Sequence, residues 1–458
     1  MLKSRTETQE QKYIRMTQTP VPSLIIKMAV PTIISMLITS IYNMADTIFV
    51  GRINTSATAG VGVAFSLMAL IQAIGFAIGM GSGNYISRLL GKKQYDRAEK
   101  VASTGFFLAL FSGIVFMTLG QIFLEPLVRL LGATETNLPY AMEYIRYILI
   151  GAPFMISTFV LNNLLRFQGN AIFSMIGVGF GGLLNIALDP LFIFTFNLGT
   201  AGAAIATIIS QFVSFMILLV NCKLSGSVKI RIKSFSFEPS MYFEILKTGM
   251  PSFFRQGMAS VASICLNFAA GYFGDATVAA MAIVNRVFIF AYSGLIGFGQ
   301  GFQPVCGFNY GAGRYDRVYK AFWFCVKVGF VFLICLGLIG VIFAPDIIWL
   351  FRDDPEVIQI GSYALRVQSI FFPLAVWVVM CNMLMQNIGK IKSASILALS
   401  RQGLFFIPVV LILPKIIGMP GVQWGQAIAD ILTFAVAVPL GISVLKEIKE
   451  KAKTIKEK

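Results

Sequence analysis

The sequence predicts an all-α integral membrane protein with twelve transmembrane helices in two six-helix lobes, related by a pseudo-two-fold axis along the membrane normal. Three observations carry this. Of 458 residues, 57% are hydrophobic and 13% charged, with a mean hydropathy of +0.78. An ordinary soluble protein is about 25% charged, so a soluble fold of this size has too little interior to hide such apolar surface and lipid must solvate most of the chain. Apolar stretches of spanning length recur twelve times, and the chain repeats its own markers at a shift of 220 residues.

The spans fall near 24–50, 58–86, 98–123, 139–165, 171–195 and 201–221, then 244–273, 277–308, 320–344, 360–386, 393–415 and 421–445. Each reaches the ~20 residues a helix needs to cross hydrocarbon, and the longest need tilt or a kink. A polar tail, 1–23, precedes the first span and has no visible cleavable signal. Pro31 can bend that span. The second span ends in Gly79, Gly81 and Gly91, small residues that permit close helix contact. The loop Tyr95-Asp96-Arg97 follows; Asp96 can cap the third span with Glu99 completing a box, or the loop can act as a gate. The fourth span carries Arg146 and Pro153, the fifth Asn185 and Asp189-Pro190, the sixth Gly199, Gly202 and Thr207. A linker, 222–243, with Ser225-Gly226-Ser227 and Pro239, joins the halves.

The second set then repeats the first. Ile245-Leu246-Lys247 with Pro251 answers Ile25-Ile26-Lys27 with Pro31. Gly299, Gly301, Gly311 and Tyr315-Asp316-Arg317 answer the second span and its loop. Arg366, Pro373, Asn382 and Gly389 answer Arg146, Pro153, Asn162 and Gly169; after a one-residue slip, Gly418 and Gly421 answer Gly199 and Gly202. Six spans is an even number, so both copies enter from the same side and an inverted repeat is excluded. The domains expected are an N-lobe, 24–221, and a C-lobe, 244–445, with a basic tail, 446–458.

Charge sets the orientation. With the N-terminus inside, the tails and inside loops hold 26 Lys and Arg, counting Arg166, and the outside loops hold only Arg52, Arg129, Arg352 and Lys415. This is the positive-inside pattern, with both termini cytoplasmic. It accounts for the net charge of +16 through anionic lipid head groups, so no nucleic-acid partner is expected. The chain has no histidine, which excludes His-ligated metals, Ser-His catalysis and a His relay. Its six cysteines form no CxxC and read as free thiols.

Only Asp46, Asp189 and Asp430 place acids deep within spans. An aspartate at mid-bilayer costs about 2.5–3.5 kcal/mol on insertion scales and is a functional candidate by default. Asp46 lies late in the first span, Asp189 late in the fifth and Thr207 early in the sixth, all in the outer half of the N-lobe. Asn185 lies one turn before Asp189 on the same face, and Pro190 frees the carbonyl of Ile186. Two carboxylates, an amide, a hydroxyl and the freed carbonyl make an oxygen-rich site for H⁺ or Na⁺; alternatively the acids hydrogen-bond helices together. Asp430 can pair with Arg255, Arg286 or Arg401, or serve a substrate or ion. Gln256, Asn285 and Arg286 can face the same cleft. The 20 Met and 41 Phe are chiefly packing and lipid-facing, with a minority available as a deformable cleft wall.

Taken together, the Asp46-Thr47 and Val50-Gly51-Arg52 end of the first span, the Gly-rich second span before Tyr95-Asp96-Arg97, and Asn185 with Asp189-Pro190 resemble the multidrug and toxic compound extrusion (MATE) transporters, in their DinF-like or MepA-like bacterial branch. The resemblance covers essentially the whole chain. It implies a multi-pass protein of the bacterial inner membrane that exports amphipathic, often cationic compounds by cation-coupled antiport. Asp46, Asn185, Asp189 and Thr207 would form the coupling network, and Pro31 would bend the first span. No cofactor is implied beyond the coupling ion. The partners expected are small-molecule drugs or organic cations and membrane lipids, with the protein a monomer. The acidic ligands of the NorM-like branch, in the seventh and tenth spans, are absent: the seventh offers Arg255 and Gln256 instead. A lipid-linked precursor flippase would want a larger basic cavity and extra spans. A membrane-embedded enzyme would need a nucleophile-base set or metal ligands, and a channel would need no hinge between lobes.

Overall fold

Every predicted apolar stretch falls on a helix or on a pair of helices joined end to end. The structure, a computed structural model, describes residues 7–53, 55–224 and 228–456. Lys3 and Arg5 of the tail, Ser225-Gly226-Ser227 of the linker and Lys458 lie outside them. The described residues form no strand. The first half contains α1 (Gln9–Gln18), α2 (Val21–Gly51), α3 (Thr55–Gly91), α4 (Tyr95–Ile122), a short α5 (Leu124–Leu130), α6 (Leu138–Phe167), α7 (Ala171–Pro190) and α8 (Gly199–Leu224). The second contains α9 (Pro239–Gly271), α10 (Asp275–Gly311), α11 (Tyr315–Ile342), a short α12 (Ala344–Phe351), α13 (Pro355–Phe371), α14 (Leu374–Asn387), α15 (Ile391–Leu399), α16 (Ile407–Ile417) and α17 (Met419–Lys456).

Ten helices among the described residues are long and apolar enough to cross a membrane; α13 and α14, bent by 54°, make an eleventh span together. The remaining stretch of the twelve lies in α9, which carries Glu244, Lys247, Arg255 and Gln256. The bend at Pro373 breaks the symmetry of the repeat, because α6 runs unbroken through the matching Pro153. Likewise α2 is one helix through Pro31. Apolar side chains such as Phe111 (64% exposed), Ile264 (61%) and Val331 (64%) cover the outside of the bundle, as a lipid-facing surface requires.

Glycines hold the two halves together, and they do so in symmetric pairs. A Cβ on Gly81 of α3 would lie 2.0 Å from the Ile245 carbonyl oxygen of α9, and one on the matching Gly301 of α10 would lie 2.4 Å from Ala29 Cα of α2. Gly249 faces the Ala77 backbone at 1.9 Å; Gly249 is matched by Ala29, and Gly297, which matches Ala77, meets Ile33 at 2.7 Å. Gly91 and Gly311, 220 residues apart, meet each other's turns: their added Cβ atoms would sit 2.2 Å from Phe308 O and Arg88 O. Self-contact between matching residues is what a two-fold axis produces. All these contacts lie in the half of the bundle that contains α1, where Arg88 also reaches Glu244 at 3.2 Å. Backbone meets backbone there, so that half is sealed.

Neither Tyr-Asp-Arg loop is capped by its aspartate, contrary to the expected box. The helices start at Tyr95 and Tyr315, so Asp96 and Asp316 occupy the first turn, where they face the positive end of the helix dipole. Glu99 instead accepts from Ser234 at 3.0 Å and approaches Arg231 at 3.7 Å, pinning the linker. The arginines of the motif tie the loops down: Arg97 lies over Tyr85, and Arg317 donates to Asn309 Oδ1 at 2.9 Å.

Candidate functional site

Close packing of α7 sets up the first site. Gly177 and Gly181 let α7 press on Leu218 and Ser214 of α8, and Gly182 lets it press on Ile38 and Tyr42 of α2. The next turn of α7 thus lies between both neighbours, and Asn185 Nδ2 reaches Asp189 Oδ1 at 3.2 Å and Thr207 Oγ1 at 3.4 Å. Pro190 then ends the α-helix, and the chain continues as a π turn, Leu191–Thr195. The bulge sits against the backbone of Gly202, where a side chain would not fit. Such turns occur mostly as single insertions within α-helices, frequently at functional sites.

Asp46 enters from α2. The hydroxyl of Tyr144 on α6 donates to Asp46 Oδ2 at 3.5 Å, also faces Thr207, and lies within electrostatic reach of Asp189. Asp46, Asn185, Asp189, Thr207 and Tyr144 are all buried. Asp46 Oδ1, Asn185 Oδ1, Asp189 Oδ2 and Ser210 Oγ have no hydrogen-bond partner among the described residues. Buried oxygens without donors are costly unless something else satisfies them. Carboxylate, amide and hydroxyl oxygens are hard ligands, suited to a proton or a small hard cation. No group of three or more His, Cys, Asp or Glu with metal-ligating geometry occurs among the described residues, so a multivalent carboxylate cage is not built here. Tyr144 and Ser210 were not apparent from the sequence; a lone tyrosine or serine in an apolar span carries no signal of its own.

The second site is a cavity of about 410 Å³ between the halves, on the far side of the glycine seam. Gln256 and Asn285 line it, and Gln256 donates to Gln72 of the other half at 3.3 Å. Arg286 does not line it: the side chain is turned to the exposed face of α10. Asp430 also lies outside the lining. It accepts from Arg401 Nε at 2.8 Å and from Gln426 Nε2 at 2.9 Å, so of the three arginines offered by the sequence Arg401 is the partner. Arg401 itself stands in a second π stretch, Ser400–Phe406, and faces the ring of Tyr292 at 4.5 Å.

Arg166 corrects the sequence reading. Counted there as an inside-loop charge, it is 2% exposed, because α6 continues to Phe167 and turns the side chain inward. Its guanidinium donates to Gln300 Oε1 and Asn163 Oδ1 and approaches Met80 Sδ at 3.1 Å. The spacing Asn162-Asn163 to Arg166, one turn apart on a helix, is the sequence signal that points to it.

The buried carboxylate cluster and the cavity are separate: Tyr42, Gly182 and Ser214 line the cavity, whereas Asp46, Asn185, Asp189 and Thr207 are not part of its lining. Pro31, buried in α2, lies next to the seam rather than at either site.

The sequence profile of the MatE family matches residues 31–191 and 251–412, once in each half. The multidrug export protein MepA of Staphylococcus aureus (strain MSSA476) is 28% identical over 434 residues, 94% of this chain and 95% of MepA. Among solved structures, an outward-facing multidrug resistance MATE transporter of the MOP superfamily superposes with a TM-score of 0.90 at 26% identity, covering 95% of this chain and 98% of the other. A MOP superfamily transporter from Pyrococcus furiosus Vc1 (DSM3638), whose binding pocket is described as of reverse polarity, superposes at 0.89 and 26% identity, covering 96% and 99%. With matched segments in both halves and relatives along nearly its full length, this chain belongs to the MatE family of membrane transporters.

Proposed function

We propose that the protein exports amphipathic organic compounds by antiport against inward H⁺ or Na⁺, with alternating access between its two halves. The observation that carries the coupling is the buried cluster of Asp46, Asn185, Asp189, Thr207 and Tyr144, with four side-chain oxygens lacking protein partners. With the N-terminus cytoplasmic, the glycine seam closes the cytoplasmic side and the cavity belongs to an outward-facing state. In that state Asp46 and Asp189 take up the ion; Asn185 and Thr207 orient the carboxylates, and Tyr144 holds Asp46 in place. Neutralising the two carboxylates removes their repulsion and lets α7 and α8 close on α2, which narrows the cavity and expels its contents.

One monovalent ion falling through ~100 mV and a tenfold gradient supplies about 3.7 kcal/mol, enough for roughly a 500-fold gradient of a neutral substrate. Vesicles carrying the protein, with an imposed pH or Na⁺ gradient and a fluorescent amphiphile, test this. Gradient-driven transport in the wild type and its loss in Asp189→Asn are expected; undiminished ion-driven export by Asp189→Asn removes the carboxylate from the mechanism. The same vesicles separate antiport from a channel, which would pass ions without counter-transport, and from a flippase, which would move lipid-linked precursors. Organic cations, the substrates expected at first, meet a lining that carries no acid.

A further inference from the structure

The lining of the central cavity has one sign of charge. Arg166, Arg255 and Arg401 reach it, from α6, α9 and the π stretch of the second half, and no Asp or Glu does. Only Arg401 has an acidic partner, Asp430, and that carboxylate stands behind the wall. Arg166 and Arg255 form no ion pair among the described residues. The partners of Arg166 are the neutral Gln300, Asn163 and Met80, and its buried Nε has none. Arg255 meets the Asn382 amide oxygen at 3.4 Å. The two lie near enough to repel each other. Burying a guanidinium among neutral acceptors leaves its charge uncompensated in a low-dielectric setting, where charge interactions are several-fold stronger than in water. Structural stability alone gives no reason to keep two of them at one cavity.

We infer that this cavity takes an amphipathic organic anion, a carboxylate, sulfonate or phosphate monoester on an aromatic body, with Arg166 and Arg255 holding the acid head. The inference deepens the export function proposed above and rests on it. A planar guanidinium offers paired donors to such a head. The body would lie against Phe76, Phe159, Phe288 and Phe372, which line the same cavity. At about 410 Å³ the cavity has the size of small-molecule sites, which suits a drug-sized anion rather than a two-chain lipid. An organic cation entering it would face two unneutralised like charges.

The test uses the full chain in zwitterionic vesicles and a matched pair of probes: 9-anthracenecarboxylate and (9-anthracenylmethyl)trimethylammonium. The carboxylate is expected to bind at least tenfold more tightly than the ammonium compound. Arg255→Gln should cut carboxylate binding at least tenfold, leave the ammonium compound unchanged or improved, and keep the wild-type elution and thermal profile; Arg255→Lys should recover part of it. Tighter binding of the ammonium compound, or carboxylate binding indifferent to Arg255→Gln in a folded protein, overturns the inference. If the ammonium probe is then exported under an ion gradient, the antiport reading survives that loss; if an ion gradient exports neither probe, nor any other amphiphile, both readings fail. Displacement of the carboxylate by phosphatidylglycerol in the vesicle, without its export, overturns the inference in favour of lipid.

Discussion

Adding one methyl group at Gly249 should pry the two halves apart. The Cβ of Gly249→Ala would stand 1.9 Å from the Ala77 carbonyl oxygen and 3.0 Å from Ala77 Cα. A carbon and a carbonyl oxygen approach to about 3.3 Å at closest, so α3 and α9 must part there by about 1.4 Å. Both partners are backbone, and no side chain can rotate to make room. Overpacking of this kind costs typically 1–3 kcal/mol. That cost falls only on the state in which the seam is closed, which shifts the balance away from it by roughly 5- to 150-fold. Spin labels at Gln94 and Arg314, exposed and equivalent in the two halves, in a cysteine-less background, read the separation directly. The distance distribution should move to longer values and gradient-driven export should fall, with helical content intact. Gly257→Ala is the control on the same helix, since nothing lies within 4 Å of its Cβ, and it should leave both readouts alone. A Gly249→Ala protein with wild-type distances and export refutes the seam argument, as does an equal shift in Gly257→Ala.

Further predictions follow from the other contacts. Tyr144→Phe removes the one side-chain donor to Asp46 among the described residues and should weaken half-saturation by the coupling ion about fivefold, for ~1 kcal/mol of lost hydrogen bond, measured as transport against ion concentration. Asp430→Asn leaves Arg401 without its counter-charge and should lower the melting temperature markedly, since breaking such a buried pair costs about 3–5 kcal/mol; the double variant with Arg401→Gln should recover most of it in a thermal unfolding assay. Lys12 of α1 is buried, and burial first, with Arg15 nearby, lowers its pKa to about 8. Between that value and about 10.4 the undocked helix binds more protons than the docked one, so docking of α1 should tighten as pH rises through this window. A spin label at the exposed Ile14 should lose mobility from pH 7.5 to 10, and Lys12→Met should abolish the change. If the cavity takes a monoanion, exchange for one inward cation moves two charges, and a ~100 mV potential with a tenfold ion gradient provides roughly 6 kcal/mol; export of the anionic probe should then rise more steeply with voltage than export of a neutral one.

Much of this architecture was legible because lipid imposes a simple code. Apolar runs, basic loops and the 220-residue echo point to the span order and the parallel repeat, and the one-turn spacing of Asn185 and Asp189, with Thr207 at the same depth in the next span, points to one cluster. What the sequence hides is side-chain direction. Arg166 and Arg286 both stand on apolar helices, yet one is turned inward and the other outward; only the neighbouring helix decides that. The break at Pro373 and the continuity at Pro153 are equally opaque, since the two prolines occupy equivalent positions in the repeat. The capping role expected of Asp96 failed for a local reason: the helix begins at Tyr95, ahead of it.

The amino-terminal helix also has a practical consequence. Its Arg15 donates to the Gly169 carbonyl at 3.2 Å and its Glu10 meets Lys93 at 3.1 Å, both in the first half, while Asn309 of the second half donates to Met16 O at 3.0 Å and Arg317 donates to Thr19 O. This short segment is therefore stitched to both halves at once, and if the halves swing as proposed, stitches on one side have to be ripped out. Bulky fusions placed ahead of Thr8 would strain that stitching, so a purification tag is better appended after α17.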